Sequence, residues 1–185
     1  MKAAIRDMTE SDNLIIANAF TAQGWKKPLS QYLLYWQECR AGKRVVLVTE
    51  YDSQFAGYVT IVWASDYPPY RENNVPEIVD FNVLIRFRRL SIGTALMDEA
   101  EKRIALSSAL AGLGGCLHID HGAAQVLYAK RGYVPDGRGL YYHGSYPAYG
   151  EQVTIDDDLT LYLTKVVNGR ETQTRGQPHQ RRQGR

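Results

Sequence analysis

Apolar residues in the first 167 positions recur either at alternate positions or at three- and four-residue spacing, and each change of period marks a new element. Ala3 to Met8 reads as a short strand. Thr9-Glu10-Ser11-Asp12 carries helix-starting side chains, with Leu14, Ile15 and Ala19 as the apolar stripe behind them. Thr21 to Pro28 is broken by Gly24 and Pro28 into a loop that holds Trp25. Leu29 to Ala41 predicts a second helix with Tyr32, Leu33, Trp36 and Cys39 at helical spacing. Arg44 to Tyr51 and Gln54 to Ala64 predict an antiparallel hairpin that turns at Asp52-Ser53. Ser65 to Pro76 is a Pro- and Asn-rich loop presenting Asp66, Tyr67, Tyr70 and Glu72 as an exposed acidic and aromatic mixture.

The middle of the chain is the most informative. The apolar run Ile78 to Leu84 predicts a strand. A basic, small-residue turn follows (Arg86, Arg88, Arg89, Ser91, Gly93), and an amphipathic helix begins near Thr94. Leu96, Ala100 and Ile104 share one face of that helix, with Asp98/Lys102 and Glu99/Arg103 as i,i+4 pairs outside. Beyond it, Ser107 to Gly114 reads as a connection and Gly115 to Asp120 as a fifth strand. His121-Gly122 leads into a helix over Ala123 to Arg131. Tyr133 to His143 contains a Pro-Asp-Gly turn, and Thr160 to Val167 is a last strand. There is no internal repeat and no sign of a second domain.

A strand, a basic turn and a helix start in that order make an anion-binding device. The first N–H groups of a helix lack intrahelical partners, the helix dipole is positive there, and the arginines add charge. The turn lacks the Lys-Ser/Thr of a nucleotide P-loop and the three glycines of a dinucleotide fingerprint. Arg88-Arg89-Leu90-Ser91-Ile92-Gly93-Thr94 instead resembles the Arg/Gln-x-x-Gly-x-Gly/Ala loop of the GCN-type N-acetyltransferase (GNAT) superfamily, which wraps the pyrophosphate of acetyl-CoA. Ala124-Gln125-Val126-Leu127-Tyr128-Ala129-Lys130-Arg131-Gly132-Tyr133 resembles that family's second motif, Ala-x-x-Leu-Tyr-x-x-x-Gly-Phe/Tyr.

The resemblance covers roughly Ala3 to Val167. It implies an α/β fold of GNAT type: a central, twisted, mixed sheet of about seven strands with helices on both faces. It implies an enzyme that moves acetyl from acetyl-CoA to a primary amine in a ternary complex. The cofactor would be held by residues 88–94, by His121, Gln125 and Tyr128, and by backbone groups near Asn82 and Val83, where the fourth and fifth strands are expected to part. Tyr128 stands at the motif tyrosine and is the candidate general acid, since a phenol with a pKa of about 10 is protonated at neutral pH. Its alternative is a ring packed in the core.

Strand parity bears on the base. Glu77, Val79, Phe81 and Val83 share one face of the predicted strand, and Ile78, Asp80, Asn82 and Leu84 the other. Val79, Phe81 and Val83 look like the core face, which makes Asp80 the preferred site-facing carboxylate. Glu77 occupies a position where many relatives carry a base. A bulge would reverse the parity beyond it. A structural role for either acid, or a water chain as base, stays open.

Three positions depart from the family pattern. Ser91 replaces the first loop glycine, Ile85 a frequent proline, and His121 a frequent asparagine. At φ > 0 a serine costs about 1 kcal/mol relative to glycine.

For the acceptor, acidic residues (Asp66, Glu72, Glu151, Asp156, Asp157, Asp158) fall near aromatic ones (Tyr67, Tyr70, Tyr141, Tyr142, Tyr146, Tyr149) in sequence. Carboxylates hold ammonium groups and rings stack on sugars. Trp25, Asp66, Tyr67, Asp80 and Tyr142 are thus candidate substrate contacts. The pattern is similar to small-molecule acetyltransferases that include antibiotic-resistance enzymes acting on aminoglycosides, of the kasugamycin 2′-N-acetyltransferase kind. Acetylation of a peptide or protein amine is a second reading, and a non-catalytic acetyl-CoA-binding module a third.

Composition narrows the class. Hydrophobic content of 44% and charged content of 23% are those of a globular domain. No apolar run approaches a membrane span, and the N-terminus lacks a signal-peptide core. With two distant cysteines, Cys39 and Cys116, a reduced cytoplasmic protein is expected, Cys116 as a buried thiol. Residues 168–185 contain five arginines and one glutamate, so the formal charge of +2 for the whole chain leaves −2 on residues 1–167. That argues against nucleic acid as a partner, and no metal site is expected. The domain is expected over 1–167, with 168–185 a disordered basic tail. A homodimer stays open.

Overall fold

In the computed structural model, which describes residues 3–168, seven strands form one sheet. They are β1 (Ala4–Asp7), β2 (Arg44–Tyr51), β3 (Gln54–Val62), β4 (Glu77–Val83), β5 (Leu110–Cys116), β6 (Val134–Tyr141) and β7 (Thr160–Val166). Their order across the sheet is β1-β2-β3-β4-β5-β7-β6, and only the β4/β5 pair is parallel. The helices are α1 (Asp12–Ala22), α2 (Leu29–Arg40), α3 (Pro68–Glu72), α4 (Ile92–Ala105) and α5 (Gly122–Lys130).

Alternation along the central strands sends residues to two cores. Val46, Val48 and Tyr58 meet Ile16, Phe20 and Tyr32 of α1 and α2 on one face. Leu47, Val59 and Ile61 meet Ile92, Leu96, Met97 and Ile104 of α4 on the other, together with Tyr128 of α5. Each fully buried aliphatic side chain stabilises by about 1.5–3 kcal/mol, so these faces dominate the fold. Among the described residues no helix is long and apolar enough to cross a membrane. The expected basic tail lies outside the described residues, apart from Asn168.

Several sequence expectations change. The fifth strand runs over Leu110–Cys116, not Gly115 to Asp120. Glycine-rich LAGLGGC looks like a connection, but its glycines leave room for neighbours: a Cβ at Gly112 would sit 2.3 Å from the Tyr70 ring, and one at Gly114 would sit 2.8 Å from Thr160. Cys116 ends this strand and is half-buried. The loop after β3 contains α3, and Tyr67 and Tyr70 are buried at 2% and 3% exposure instead of facing solvent. On α1, Ile16, Ala17 and Phe20 form the buried face, while Leu14 and Ile15 are exposed; Leu33 on α2 is exposed as well. On α4, which starts at Ile92, the Glu99–Arg103 pair forms, but Lys102 joins Glu99 at i,i+3 and Asp98 joins Arg131.

Candidate active site

Two features of β4 build the site. The first is a bulge. Thr60 pairs with Val79 and Tyr58 with Asn82, so Asp80 and Phe81 oppose Val59 alone, and Asp80 takes φ of 46°. The extra residue reverses the side-chain alternation. Ile78 before it, and Phe81 and Val83 after it, all pack on the α4 side, while Leu84 joins the α1/α2 core. Val79 does not belong to the core face, since it sits opposite Thr60, whose neighbour two residues back, Tyr58, faces α2. Glu77 and Asp80, which simple alternation separates, therefore end on one face.

The second feature is the separation of β4 from β5. Their ladder holds only Glu77↔Gly112 and Ile78↔Leu113, although β4 runs on to Val83 and β5 to Cys116. Past Ile78 the strands have no mutual pairing, which leaves a crevice between them. On its other edge β4 stays tight against β3: at Gly57, opposite Val83, a Cβ would lie 2.5 Å from the Asn82 carbonyl oxygen.

The two carboxylates live in opposite environments. Asp80 accepts hydrogen bonds from Lys27 Nζ (2.7 Å), Gln31 Nε2 (2.8 Å), Tyr35 Oη (3.0 Å), Tyr58 Oη (2.5 Å) and Asn82 Nδ2 (2.6 Å). Burial opposes its ionisation, but the charge and hydrogen bond of Lys27, with the two tyrosine hydroxyls, outweigh it and hold the carboxyl below its usual range. Glu77 is 7% exposed and, among the described residues, accepts only from Ser65 Oγ, at 2.5 Å. Burial raises its pKa to about 7, with the Asp66 charge acting in the same sense, against the Ser65 hydrogen bond and Arg44. Ser65 Oγ in turn accepts the Tyr67 N–H at 2.9 Å, which fixes the hydroxyl between the two.

The basic turn forms at the far end of β4. A 3₁₀ turn over Ile85–Phe87 leads through extended Arg88 and left-handed Arg89 (φ 63°) to Ser91 (φ 59°), and α4 begins at Ile92. Ser91 thus occupies a conformation suited to glycine. The backbone N–H groups of residues 89–94 donate to no acceptor among the described residues; the next one, Ala95 N–H, returns to the Ser91 carbonyl. Arg89, Leu90, Ser91 and Thr94 are exposed around them, Ile92 is buried, and Gly93 lets the first turn approach the Phe81 ring, 3.0 Å from where a Cβ would be. Arg88 lies over the Trp25 ring at 5.6 Å, and Trp25 stacks on Phe20.

Tyr128 is buried on α5, which pushes its hydroxyl up to about 12. The hydroxyl has no hydrogen-bond partner among the described residues and is not completely buried. Gln125 donates to the Cys116 carbonyl at 2.8 Å, and His121 sits at the N-terminus of α5 with Nε2 3.5 Å from Asp157. Asn82 turns its amide to Asp80, so its side chain belongs to the Asp80 network.

The candidate acceptor residues separate. Asp66 is exposed beside Glu77. Tyr67 stacks on Tyr162 at 3.6 Å with 4° between planes and donates to Asp136 at 2.7 Å; with Tyr70 and Tyr141 it forms a third small core. Tyr142 donates to Asp156 at 3.2 Å. Sequence reasoning did not single out Ser65, Lys27 or Tyr58, because a hydrogen bond made across strands leaves no periodic trace. A cavity of about 380 Å³ lined by Trp63, Asn74, Pro76, Ser107 and Ser108 lies at the opposite end of β4 from the basic turn and carries no titratable side chain.

Similarity to known proteins agrees with this geometry. Among solved structures, an N-acetyltransferase from Thermoplasma acidophilum in complex with coenzyme A superposes with a TM-score of 0.62 at 14% identity, covering 90% of this chain and 99% of that one. The ribosomal-protein-S18-alanine N-acetyltransferase from Escherichia coli gives 0.66 at 11% identity, over 93% and 98%. A spermidine N-acetyltransferase chimera from Vibrio cholerae and hSSAT gives 0.65 at 12%, over 90% and 96%. At these identities the likeness is one of fold. No curated protein matches the sequence. The model of the acetyltransferase (GNAT) family matches residues 10–133, which include the bulged strand, the basic turn and both motifs, and the chain belongs to that family.

Proposed function

We propose that the chain transfers acetyl from acetyl-CoA to the primary amine of a small cationic molecule, with Glu77 as general base and Tyr128 as general acid. The observation that carries this is the pairing of a buried carboxyl at about 7 with a crevice that opens one residue beyond it. The cofactor fits: six consecutive N–H groups without acceptors, under exposed arginines, suit a diphosphate, and the parted strands offer unpaired backbone to an extended arm. Acetyl-CoA, when bound, supplies an activated thioester.

The residues then divide the work. Residues 89–94 hold the diphosphate, and Trp25 keeps Arg88 folded over the turn. Glu77 takes a proton from the incoming ammonium; with a pKa near 7 it is partly ionised at neutral pH and still basic enough to accept it. Tyr128 gives its proton to the departing sulfur, for which an unpartnered and unionised phenol is suited. Asp80 positions: saturated by five donors and paired with Lys27, it fixes the bulge and leaves proton transfer to Glu77.

An aminoglycoside-type amino sugar is the acceptor to test first. Asp66 stands beside Glu77, and the exposed Asp158 lies on the turn before β7. These carboxylates favour a substrate with more than one amine. Purified protein with acetyl-CoA, offered aminoglycosides, polyamines and N-terminal peptides in parallel, should release CoA thiol and add one acetyl group to an aminoglycoside. Turnover of peptides alone would replace that acceptor, and no turnover with any amine would leave only a binding module.

A further inference from the structure

The geometry points to a second site in this chain: Cys116, His121 and Asp157 together bind a divalent transition-metal ion of the Zn²⁺ class. The three residues come from separate segments, the last residue of β5, the N-terminus of α5 and the turn before β7, and their ligand atoms all lie within 4.8 Å of one another. Asp157 Oδ1 is 3.5 Å from His121 Nε2 and 4.0 Å from Cys116 Sγ. The His–Asp separation exceeds that of a good hydrogen bond. It matches the edge of a tetrahedral site, where bonds of about 2.0–2.3 Å put donor atoms roughly 3.3–3.8 Å apart.

The Cys116 thiol donates to the Asp156 carbonyl at 3.5 Å and toward Asp157 Oδ1 at 4.0 Å, contacts that a metal–sulfur bond would replace, while the backbones of Cys116 and His121 are held without using their donor atoms. Gln125 donates to the Cys116 carbonyl at 2.8 Å, and the His121 N–H donates to the His118 carbonyl at 3.0 Å. The Asp157 turn is tied by Asp158 N–H to Asp156 Oδ1 (3.0 Å) and by Tyr142 Oη to Asp156 Oδ2 (3.2 Å). Those bonds occupy both oxygens of Asp156 and leave the Asp157 carboxylate for an ion. The neighbouring trio His143, Asp156 and Asp158 therefore has a committed member and no sulfur, and it serves as a comparison.

The donor set chooses the metal. A thiolate, an imidazole and a carboxylate suit Zn²⁺ or Co²⁺, whereas Mg²⁺ and Ca²⁺ prefer oxygen alone. Binding replaces the S–H bond of Cys116 by an S–metal bond and releases that proton to solvent, so affinity falls as pH is lowered. A bound ion would tie the 156–158 turn to the end of β5, beside the crevice.

Co²⁺ titration of the full chain, untagged and with thiols reduced, reports this directly, because a thiolate ligand gives a charge-transfer band. The chain has only two cysteines, so the band can come from Cys116 or Cys39 alone. The expected result is a 1:1 band, displaced by Zn²⁺, lost in Cys116→Ser, kept in Cys39→Ser, and weakened at least tenfold in affinity in Asp157→Asn. Asp157 is exposed, so its variant keeps the fold. Absence of the band in the parent chain, its survival in Cys116→Ser, or unchanged affinity in Asp157→Asn would each overturn the site.

Discussion

Ser65 donates its hydroxyl proton to Glu77 across 2.5 Å of buried space, the one hydrogen bond that this carboxyl receives among the described residues. Ser65 and Asp66 thus act on Glu77 in opposite senses: the hydroxyl favours the charged form, and the neighbouring carboxylate disfavours it. The acid limb of kcat/KM should fall near pH 7 in the parent enzyme. Ser65→Ala should move it to higher pH and Asp66→Asn to lower pH. Rates measured from pH 5 to 9 at saturating acetyl-CoA check both, and shifts in the same direction would remove Glu77 as the titrating base.

Replacing the proposed base separates chemistry from binding. Glu77→Gln should lower kcat by about 10²–10⁴-fold while calorimetry shows acetyl-CoA binding intact. The same variant has a stability signature. The folded-state pKa of about 7 lies above the ordinary value of 4.5, so the proton on Glu77 stabilises the fold fully below pH 4.5, and that contribution is lost as pH rises through 7. Relative to the parent, Glu77→Gln should therefore gain stability between pH 5 and 8, by on the order of 3 kcal/mol. Denaturant titrations at the two pH values provide the comparison.

Tyr128→Phe keeps the ring that packs beside Tyr133 and removes only the unpartnered hydroxyl. A fall in kcat of about 10²-fold with an unchanged Tm is expected. A Tm loss with normal kcat would mark Tyr128 as a packing residue.

At Ser91 the φ of 59° places an L side chain in a left-handed conformation. Ser91→Gly should raise stability by about 1 kcal/mol and leave acetyl-CoA affinity equal or tighter. A large loss of affinity by calorimetry would instead show that the hydroxyl itself binds the diphosphate.

Gly112→Ala should destabilise by about 1–3 kcal/mol, because its Cβ would meet the Tyr70 ring at 2.3 Å. Combining it with Tyr70→Leu should recover part of that loss. Chemical denaturation of the two single variants and the double variant tests the coupling.

Elements with one strong period were legible in the sequence: the hairpin of β2 and β3, the amphipathic α4 and the closing β7. The basic turn and the Leu127-Tyr128 helix were legible as motifs. What escaped has a common cause in contacts between distant residues. β5 is written in glycines because Tyr70 and Thr160 occupy the space its side chains would need. Tyr67 reads as exposed because its partner Tyr162 lies 95 positions away. Asp80 looked like the freer acid because its donors Lys27, Gln31 and Tyr35 come from the loop before α2 and from α2 itself.

The additional residue at Asp80–Phe81 also governs how this protein should be aligned with its relatives. Applying to this chain the backward count from the arginine turn of a homologue without that insertion would land one place off and nominate Ile78 in place of Glu77, the proposed proton acceptor. Counting forward from Pro76 at the strand's beginning gives Glu77 whether or not the insertion is there. Comparative assignments of the base in this family should be anchored at the entrance of the strand, upstream of the irregularity.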